Sequence, residues 1–409
     1  MKILVLHTLY SPHVGGGAEA VVKQLAEGLQ RRGHEVVVLA TGPREGVNGE
    51  QVDGLRVYRA GLHNLYWHHT QRRPQPLMRL GWHWRDRYNR DMRVPLRQVI
   101  EVEQPDLVLC HNLTGWSISA WDEIHQAGLP AVQVLHDLYL LCPRDTMYHK
   151  GKDCARQCGL CAALRHRHAA ASAKVTAVIG VSRYLLERVC EQGFFPGVPR
   201  HVVYNRCAVP VAGRLSRPDG PLRFGYIGTL SENKGVAWLI QQFEALGLDA
   251  TLDIAGRGKH DDEARLAALV TSDRVRFVGF QDAARFLGGL DVLVMPSRWA
   301  EPFGLVAVEG CAHGLPVIAS AVGGLPETIQ HGVNGLLCTP ENPDSLGQAL
   351  ATLYHDQALR ERLAHQARLT ITPLLDMERM LDEYETILHE SLESSRSGQE
   401  QTHDQRVLA

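Results

Sequence analysis

Short apolar runs alternate with amphipathic stretches along most of the chain. The runs that predict strands are apolar throughout rather than at every second position; they are 3–7, 36–40, 107–110, 131–135, 175–181, 222–227, 251–255, 275–278, 292–295 and 316–319. Such runs are typical of parallel strands covered on both faces. After the first run, apolar residues recur at helical spacing until Gly33, which ends the predicted helix. The alternation predicts a doubly wound α/β fold.

The series of strands and helices is interrupted at residues 207–220, which are rich in proline, glycine and arginine. We predict a linker there, between a Rossmann-like domain at 1–206 and a second one at 221–375. A last helix is predicted at 376–393. The polar residues 394–409 are expected to form a frayed tail.

Composition narrows the class of protein. The chain has 409 residues, of which 44% are hydrophobic and 22% charged, as in ordinary globular proteins. A formal net charge of −2 argues against a dedicated nucleic-acid binder. No apolar run reaches the length of about 18 residues that a transmembrane helix needs, and Met1–Leu6 is too short for a signal-peptide core. We therefore expect a cytoplasmic protein with mostly reduced cysteines.

Glycine and polar residues follow the predicted strands, where open parallel sheets bind their ligands. The glycines at 15–17 separate the first strand from a helix expected to open at Ala18-Glu19. The backbone N–H groups of Gly16 and Gly17 could therefore meet a phosphate, although a flexible turn explains the glycines equally well. The spacing matches neither G-x-G-x-x-G nor a Walker loop.

A stronger signal follows the run 292–295. Glu301 lies in a turn, and Glu309 lies in a helix that is predicted to begin near Leu305. The helix start, after Phe303-Gly304, offers free N–H groups to a diphosphate. Glu301 can accept hydrogen bonds from sugar hydroxyls and Glu309 from ribose hydroxyls. The alternative is a helix-capping role for Glu301 and a solvated Glu309.

A third signal is Lys234, which follows Gly228 in another strand-to-helix loop. A lysine there can neutralise a leaving diphosphate, although an isolated lysine is more often only exposed charge. Gly256 and Phe280 follow the next two strands, and we expect them at the same edge of the predicted sheet.

Together these residues resemble the retaining GT-B glycosyltransferases of family 4, above all in the frame from Glu301 to Glu309 with Phe303-Gly304-Leu305 between them. The resemblance extends from the loop at 15–19 to about Ile387. Its supporting segments are Lys234-Gly235, Gly256-x-Gly258, His136-Asp137 and Val322-Gly323-Gly324-Leu325-Pro326-Glu327.

The resemblance implies two Rossmann-like domains facing a central cleft, with the last helix crossing back to the first domain. It implies a nucleoside-diphosphate sugar donor, transfer with retention of anomeric configuration, and no metal ion for catalysis. Lys234 would bind the diphosphate, Glu301 the donor sugar and Glu309 the ribose, while His136 would orient the sugar. The catalytic residues would be His136, Lys234 and Glu301. The implied donor contacts are Gly16, Gly17, Gly228, Lys234, Gly256, Phe280, Glu301, Phe303, Gly304, Leu305 and Glu309.

The sequence departs from the family at Thr229, where relatives often carry an arginine that pairs with the lysine at the phosphates. Another cation would then assist Lys234. The candidates are Arg183 and Arg206, the latter at a position where the family commonly has glycine.

Four cysteines form the pattern C-x11-C-x3-C-x2-C at Cys142, Cys154, Cys158 and Cys161. We interpret residues 142–161 as an insertion over the acceptor side. Four thiolates suit a structural zinc or an iron–sulfur site. Reduced structural thiols and a disulfide are the alternatives, because C-x3-C-x2-C is not the usual paired spacing.

The segment Arg72–Arg97 holds eight arginines and two aspartates with interleaved Trp82, Trp84 and Tyr88. This pattern favours peripheral docking on an anionic membrane, at the inner face of the cytoplasmic membrane. The alternative is an ordinary helix surface with solvated arginines.

The leading interpretation is a glycosyltransferase that acts on a saccharide or lipid-linked acceptor in cell-surface polysaccharide or glycolipid biosynthesis. One alternative is a non-catalytic nucleotide-sugar-binding protein, which Thr229 keeps open. The other is an NAD-dependent oxidoreductase, against which the missing G-x-G-x-x-G argues.

Overall fold

The predicted strands are present, with bounds shifted by no more than two residues, and further strands lie between them. A computed structural model describes residues 1–69, 74–207 and 220–407, with side chains up to 397. Its strands are β1 (Lys2–Leu6), β2 (Glu35–Gly42), β3 (Val47–Val52), β4 (Leu55–Gly61), β5 (Leu107–Cys110), β6 (Ala131–Leu135), β7 (Tyr148–His149), β8 (Lys152–Asp153), β9 (Ala177–Gly180), β10 (Arg200–Val202), β11 (Leu222–Ile227), β12 (Ala250–Ala255), β13 (Val275–Gly279), β14 (Val292–Met295), β15 (Val317–Ser320) and β16 (Gly335–Cys338).

Helices separate most of these strands, as expected for crossover connections between parallel strands. They are α1 (Gly17–Arg31), α2 (Pro76–Asp86), α3 (Arg93–Glu103), α4 (Ser119–Gln126), α5 (Gly159–Leu164), α6 (His168–Ala171), α7 (Arg183–Cys190), α8 (Val236–Leu246), α9 (His260–Ala267), α10 (Ala283–Gly288), α11 (Leu305–Ala312), α12 (Leu325–Thr328), α13 (Ser345–His355), α14 (Gln357–Ile371) and α15 (Met377–Val407). None of the helices in the described ranges is both long and apolar enough to cross a membrane.

The described residues divide into two units. The first comprises Met1–Met147, Ala155–Tyr204 and the C-terminal residues from Met377; the second comprises Tyr148–Cys154 and Asn205–Asp376. Most of the predicted linker, residues 208–219, lies outside the described residues.

The first unit is built on an eight-stranded sheet in the order β10-β9-β6-β5-β1-β2-β4-β3. Every pair is parallel except β3 with β4. The apolar strands β1, β5, β6 and β9 are buried along their length, apart from partial exposure at Lys2. The strand order reverses between β1 and β5, so the ends of these two strands flank the place where an open α/β sheet binds its ligand.

The second unit holds a six-stranded parallel sheet in the order β13-β12-β11-β14-β15-β16. Its core packs apolar residues of the central strands against α8, α13 and α14. This is the strand order of a dinucleotide-binding sheet, and it reverses between β11 and β14. Residues that follow β11 and β14 are therefore placed beside the expected ligand crevice of this unit.

The last helix differs from the prediction. It was expected to end at 393, but α15 reaches Val407. The residues after 393 include three glutamines and two arginines, which favour a helix, and no proline, so the helix continues through them. Within the first unit, Arg32 at the end of α1 forms ion pairs with Glu378, Asp382 and Glu385 of α15.

Candidate functional site

Backbone glycines line one edge of the second unit. Gly228, Gly256 and Gly279 end the neighbouring strands β11, β12 and β13 or follow them directly. The Gly228 N–H donates to the Ala255 carbonyl at 3.1 Å, and the Gly256 N–H donates to the Gly279 carbonyl at 2.8 Å. A Cβ on Gly256 would lie 1.8 Å from the Gly228 oxygen, so only glycine fits there. The predicted contacts Gly228 and Gly256 are thus brought together at the ends of adjacent strands.

The centre of the site is an ion pair between Lys234 and Glu301, with Lys234 Nζ 2.6 Å from Glu301 Oε1. The same carboxylate oxygen accepts hydrogen bonds from Ser297 Oγ at 2.7 Å and from Trp299 Nε1 at 3.0 Å. Glu301 is buried, at 5% exposure. Within the described ranges, its other oxygen, Oε2, accepts no hydrogen bond. One oxygen therefore fixes the carboxylate, and the other is left for a ligand.

Glycines allow the two loops that carry Lys234 and Glu301 to approach closely. Gly235 has φ +73°, and a Cβ there would lie 1.8 Å from the Pro296 carbonyl oxygen. Next to it, the Arg298 N–H donates to the Asn233 carbonyl at 2.8 Å. On the far side, a Cβ on Gly323 would lie 2.2 Å from the Glu301 carbonyl oxygen. The glycines therefore allow the backbone contacts that bring Lys234 to Glu301.

Helix α11 begins at Leu305, as predicted, directly after Gly304 in the left-handed conformation at φ +87°. The Ala307 and Val308 N–H groups both donate to the Gly304 carbonyl. Over the part of the chain that the structure describes, the Leu305 and Val306 N–H groups have no backbone acceptor, as expected in the first turn of a helix. Phe303 is buried beneath this turn at 3% exposure. The helix start therefore carries two free donors and the positive end of the helix dipole.

Glu309 lies four residues after Leu305, on the same face of α11. Burial raises the pKa of its carboxyl from 4.5 to about 7. Neither carboxylate oxygen has a hydrogen-bond partner among the residues described, although the side chain is partly buried. A half-buried carboxylate without a partner is costly, and it is well suited to accept hydroxyl donors from a ligand.

The remaining predicted residues of the second unit are spread around this centre. Phe280 follows β13 with its ring 76% exposed. Thr229 is exposed as well. Arg206 donates through Nε to the Leu375 carbonyl at 3.3 Å.

In the first unit, a histidine follows each of the adjacent strands β1, β5 and β6: His7, His111 and His136. His111 Nδ1 lies 2.8 Å from His136 Nε2. Burial lowers the pKa of His136 to about 4 and that of His7 to about 3, and it lowers the pKa of His111 strongly as well. All three imidazoles are therefore neutral at pH 7.

A backbone hydrogen bond defines the tautomer of His7. The Asn112 backbone N–H donates to His7 Nδ1 at 3.2 Å, so the proton of the neutral ring is on Nε2. Next to it, Asp137 accepts from Asn112 Nδ2 through one oxygen and from the Tyr139 N–H through the other. Asp137 thus holds the loop after His136, and burial raises its pKa to about 6.

The other residues predicted in the first unit lie at the same sheet edge. The Gly16 N–H already donates to Glu19 Oε2 at 2.8 Å, so it is not a free phosphate donor. Gly17 begins α1, one residue earlier than the predicted opening, and its N–H is part of the first turn. Arg183 begins α7, after β9, and its side chain is exposed.

The arginine-rich segment 72–97 contains exposed side chains, as the membrane-docking hypothesis requires, and also buried ones. Arg72 and Arg73 lie outside the described residues. Trp82 is buried at 2% exposure and donates to the Tyr66 carbonyl, so it belongs to the core rather than to a docking surface. Trp84 is 56% exposed, and the Arg87 guanidinium lies 4.3 Å from its ring centroid.

Sequence reasoning missed several members of both clusters. Ser297 and Trp299 were passed over because serine and tryptophan next to a glutamate carry no motif, yet both orient Glu301. His7 and His111 were not assigned to the site. The signal available was their position directly after strands that flank the reversal in strand order.

Two family models match the chain. Residues 15–206 match the model of Glycosyltransferase Family 4, and residues 213–370 match that of Glycosyl transferases group 1. A relative from Klebsiella pneumoniae, described as an uncharacterized 42.6 kDa protein in the cps region, is 29% identical over 329 residues, which cover 80% of this chain and 87% of the relative.

Solved structures show the same fold. The sucrose-phosphate synthase of Thermosynechococcus elongatus has a TM-score of 0.77 at 21% identity, covering 96% of this chain and 99% of its own. Anabaena Alr3699/HepE in complex with UDP and glucose has a TM-score of 0.72 at 20% identity, covering 95% of this chain and 100% of its own. At these identities the likeness is evidence for the fold.

Proposed function

Because the chain belongs to the family 4 glycosyltransferases of GT-B fold, we propose that it transfers a sugar from a nucleoside-diphosphate sugar to a saccharide or lipid-linked acceptor, with retention of anomeric configuration. The observation that carries the proposal is the Lys234–Glu301 pair, which lies where the strand order of the second unit reverses. The complexes of Anabaena Alr3699/HepE with UDP and with UDP-glucose support a nucleotide-sugar donor.

The leaving group gains negative charge as the bond between the sugar C1 and the diphosphate oxygen breaks. Lys234 and the free N–H groups at the start of α11 are fixed, positively polarised donors for that charge. Because these groups are already held by the fold, no reorganisation is needed at the moment of transfer. Arg206, occupied with the Leu375 carbonyl, and exposed Arg183 are the further cations that we propose in place of the arginine missing at Thr229.

The donor sugar and the ribose require acceptors for their hydroxyl groups. Glu301 Oε2 is open, while Oε1 is held by three donors, so the carboxylate can bind a sugar hydroxyl without moving. Glu309 supplies the corresponding acceptor for the ribose. Phe280 offers an exposed ring to the nucleobase.

Retention follows from attack on the same face from which the diphosphate leaves. The acceptor hydroxyl forms the new bond to C1, the C1–O bond of the diphosphate breaks, and the acceptor proton passes to the departing phosphate oxygen. His136 is neutral and can orient a sugar hydroxyl without adding charge.

The acceptor is proposed to be membrane-associated. Helix α2 exposes Leu77, Met78, Leu80 and Trp84, with Leu77 at 81% exposure. Arg87 stacks on Trp84 and leaves its charge at the same surface. Apolar side chains beside arginine suit an anionic membrane surface. Arg93 and Arg97 contribute less, since both pair with Glu123. The cps-region relative supports a role in cell-surface polysaccharide or glycolipid synthesis.

The proposal is tested first by ligand binding and then by turnover. A thermal-shift panel of UDP, GDP, ADP, their sugars and NAD(H) should show stabilisation by one nucleotide class and none by NAD(H). Stabilisation by NAD(H) alone would support the oxidoreductase alternative instead.

Release of nucleoside diphosphate from the selected donor is then measured with Glu301→Gln and with Glu341→Gln, an exposed carboxylate of the same unit, as control. We expect turnover to fall at least ~10²-fold only in Glu301→Gln. Binding without turnover in the wild type, with every acceptor offered, would identify a non-catalytic binding protein. Nuclear magnetic resonance of the anomeric proton of the product tests retention.

Membrane docking has its own test. Co-sedimentation with vesicles containing anionic lipid should be salt-sensitive and should weaken in the double variant Leu77→Ser and Trp84→Ser. Equal binding to neutral vesicles, or no binding at all, would remove this part of the proposal.

A further inference from the structure

Three of the four predicted cysteine ligands come together in the first unit. The Cys142 and Cys161 sulfur atoms are 3.7 Å apart, and the side chain of Cys158 also interacts with Cys161. Cys158 precedes α5, and Cys161 lies three residues later on the same face of that turn. The described parts of the chain contain no group of three ligand side chains already arranged as a metal site.

The distance between the two sulfur atoms is informative. Two thiolates bound to one tetrahedral zinc, at about 2.3 Å each, are separated by about 3.8 Å. A disulfide would require about 2.05 Å. The observed 3.7 Å, which is also the length of a thiol–thiol hydrogen bond, excludes a disulfide in this conformation and allows the two sulfur atoms to occupy two corners of a zinc tetrahedron.

Backbone donors point at these sulfur atoms. The Arg144 N–H donates to Cys142 Sγ at 3.4 Å. The backbone at Leu160 and Cys161 also faces the sulfur of Cys158. Such N–H groups stabilise the negative charge that a thiolate carries as a metal ligand. Cys158 is exposed, so its side chain can turn toward the buried pair.

We propose that Cys142, Cys158 and Cys161 bind a structural zinc ion. Cys154, the fourth cysteine of the sequence pattern, belongs to the second unit and is not included in the proposal. Cys142 and Cys161 enclose the insertion at 142–161, so the ion would join the two ends of that segment. Closing a loop through a metal stabilises the folded form because the site does not exist in the unfolded chain.

The ion would also support the loop after His136. Arg165, directly after α5, donates to the Tyr139 carbonyl at 2.7 Å, and its guanidinium lies 4.2 Å from the Tyr139 ring centroid. The Tyr139 N–H in turn donates to Asp137. The zinc cluster is thus connected to Asp137 through packed and hydrogen-bonded groups of the first unit.

Metal content of the full-length protein tests the proposal directly. Protein purified in reducing buffer, or loaded with zinc after chelation, should hold about one zinc ion per chain by elemental analysis. Cys142→Ser and Cys161→Ser should lose the ion. Cys190→Ser is the matched control, since Cys190 is a buried cysteine of the same unit in α7, and it should keep the ion.

Cobalt substitution provides an independent readout. Cobalt bound to the wild type should show sulfur-to-metal charge-transfer bands and the intense visible bands of a tetrahedral thiolate site. Because Cys158 is exposed, Cys158→Ser should fold normally and still weaken the charge-transfer band.

Four results would overturn the proposal. They are zinc well below one ion per chain after loading, equal zinc loss in Cys190→Ser, a Cys142–Cys161 disulfide in unreduced protein, and the visible absorption of an iron–sulfur cluster. None of these measurements depends on transferase activity.

Discussion

Replacing Glu309 by glutamine should change the pH dependence of stability in a way that follows directly from its burial. In the folded chain the pKa of this carboxyl is raised from 4.5 to about 7 because the side chain is buried. The folded state therefore favours the neutral form. The contribution of the neutral carboxyl to folding stability is complete below about pH 4.5 and is lost as the pH rises through about 7.

The size of the effect follows from the shift. A change from 4.5 to about 7 corresponds to about 3.5 kcal/mol at about 1.4 kcal/mol per pH unit, and partial exposure reduces it to about 2 kcal/mol. Glutamine has the shape of the neutral acid and does not ionise. Glu309→Gln should therefore be more stable than the wild type at pH 8 and equal to it below about pH 4.5.

Thermal unfolding of the ligand-free protein measures the difference. For a unit of this size, about 2 kcal/mol corresponds to a rise in Tm of about 4–8 °C at pH 8. Glu341→Gln, which removes an exposed carboxylate from the same unit, should leave the pH profile of Tm unchanged. If Glu309→Gln and the wild type have parallel profiles from pH 5 to 8, the carboxylate is solvated and the proposed ribose contact loses its basis.

Three further predictions concern the donor site. Lys234→Ala should lower turnover, measured as nucleotide release, at least ~10²-fold. Lys259→Ala, which removes an exposed lysine of the same unit, is the control and should leave turnover unchanged. A near-wild-type rate for Lys234→Ala would show that another cation serves the diphosphate. Gly235→Ala should lower Tm more than Gly247→Ala. Both positions have positive φ, but only at position 235 would the added Cβ collide with a carbonyl oxygen, that of Pro296. Equal falls in Tm would contradict this steric argument. Phe280→Ala should raise the donor KM several-fold with little change in kcat, and an unchanged KM would remove the base-stacking assignment.

The parallel core was predictable because continuous apolar runs have few alternatives to buried parallel strands. β5, β6, β11 and β14 have the predicted bounds. The hairpin strand β3 was missed because its residues are polar and mostly exposed at the sheet edge, so neither a continuous nor an alternating apolar pattern marks it.

The site was predictable only where a residue type carries its own chemistry. A lysine and a glutamate in strand-to-helix loops, with a second glutamate in the following helix, indicate charge binding, and the Lys234–Glu301 contact is present. What the pattern could not supply is the orientation of Glu301. That depends on which donors reach each oxygen, and those donors are a serine and an indole without a recognisable motif.

The asymmetry of Glu301 is the strongest link between this fold and its proposed chemistry. Three donors on Oε1 stabilise the charge of the carboxylate and fix its plane. Without them, water molecules would have to supply these hydrogen bonds. If stability alone had selected this arrangement, the donors would be expected on both oxygens, since each can accept. Their convergence on one oxygen leaves the other, in the described structure, with unused accepting capacity beside Lys234. This oxygen keeps contact with solvent, so a ligand hydroxyl can replace the water there without any movement of the carboxylate. The pair therefore has the properties of a preorganised site for a polyhydroxylated anion, which a nucleotide sugar is.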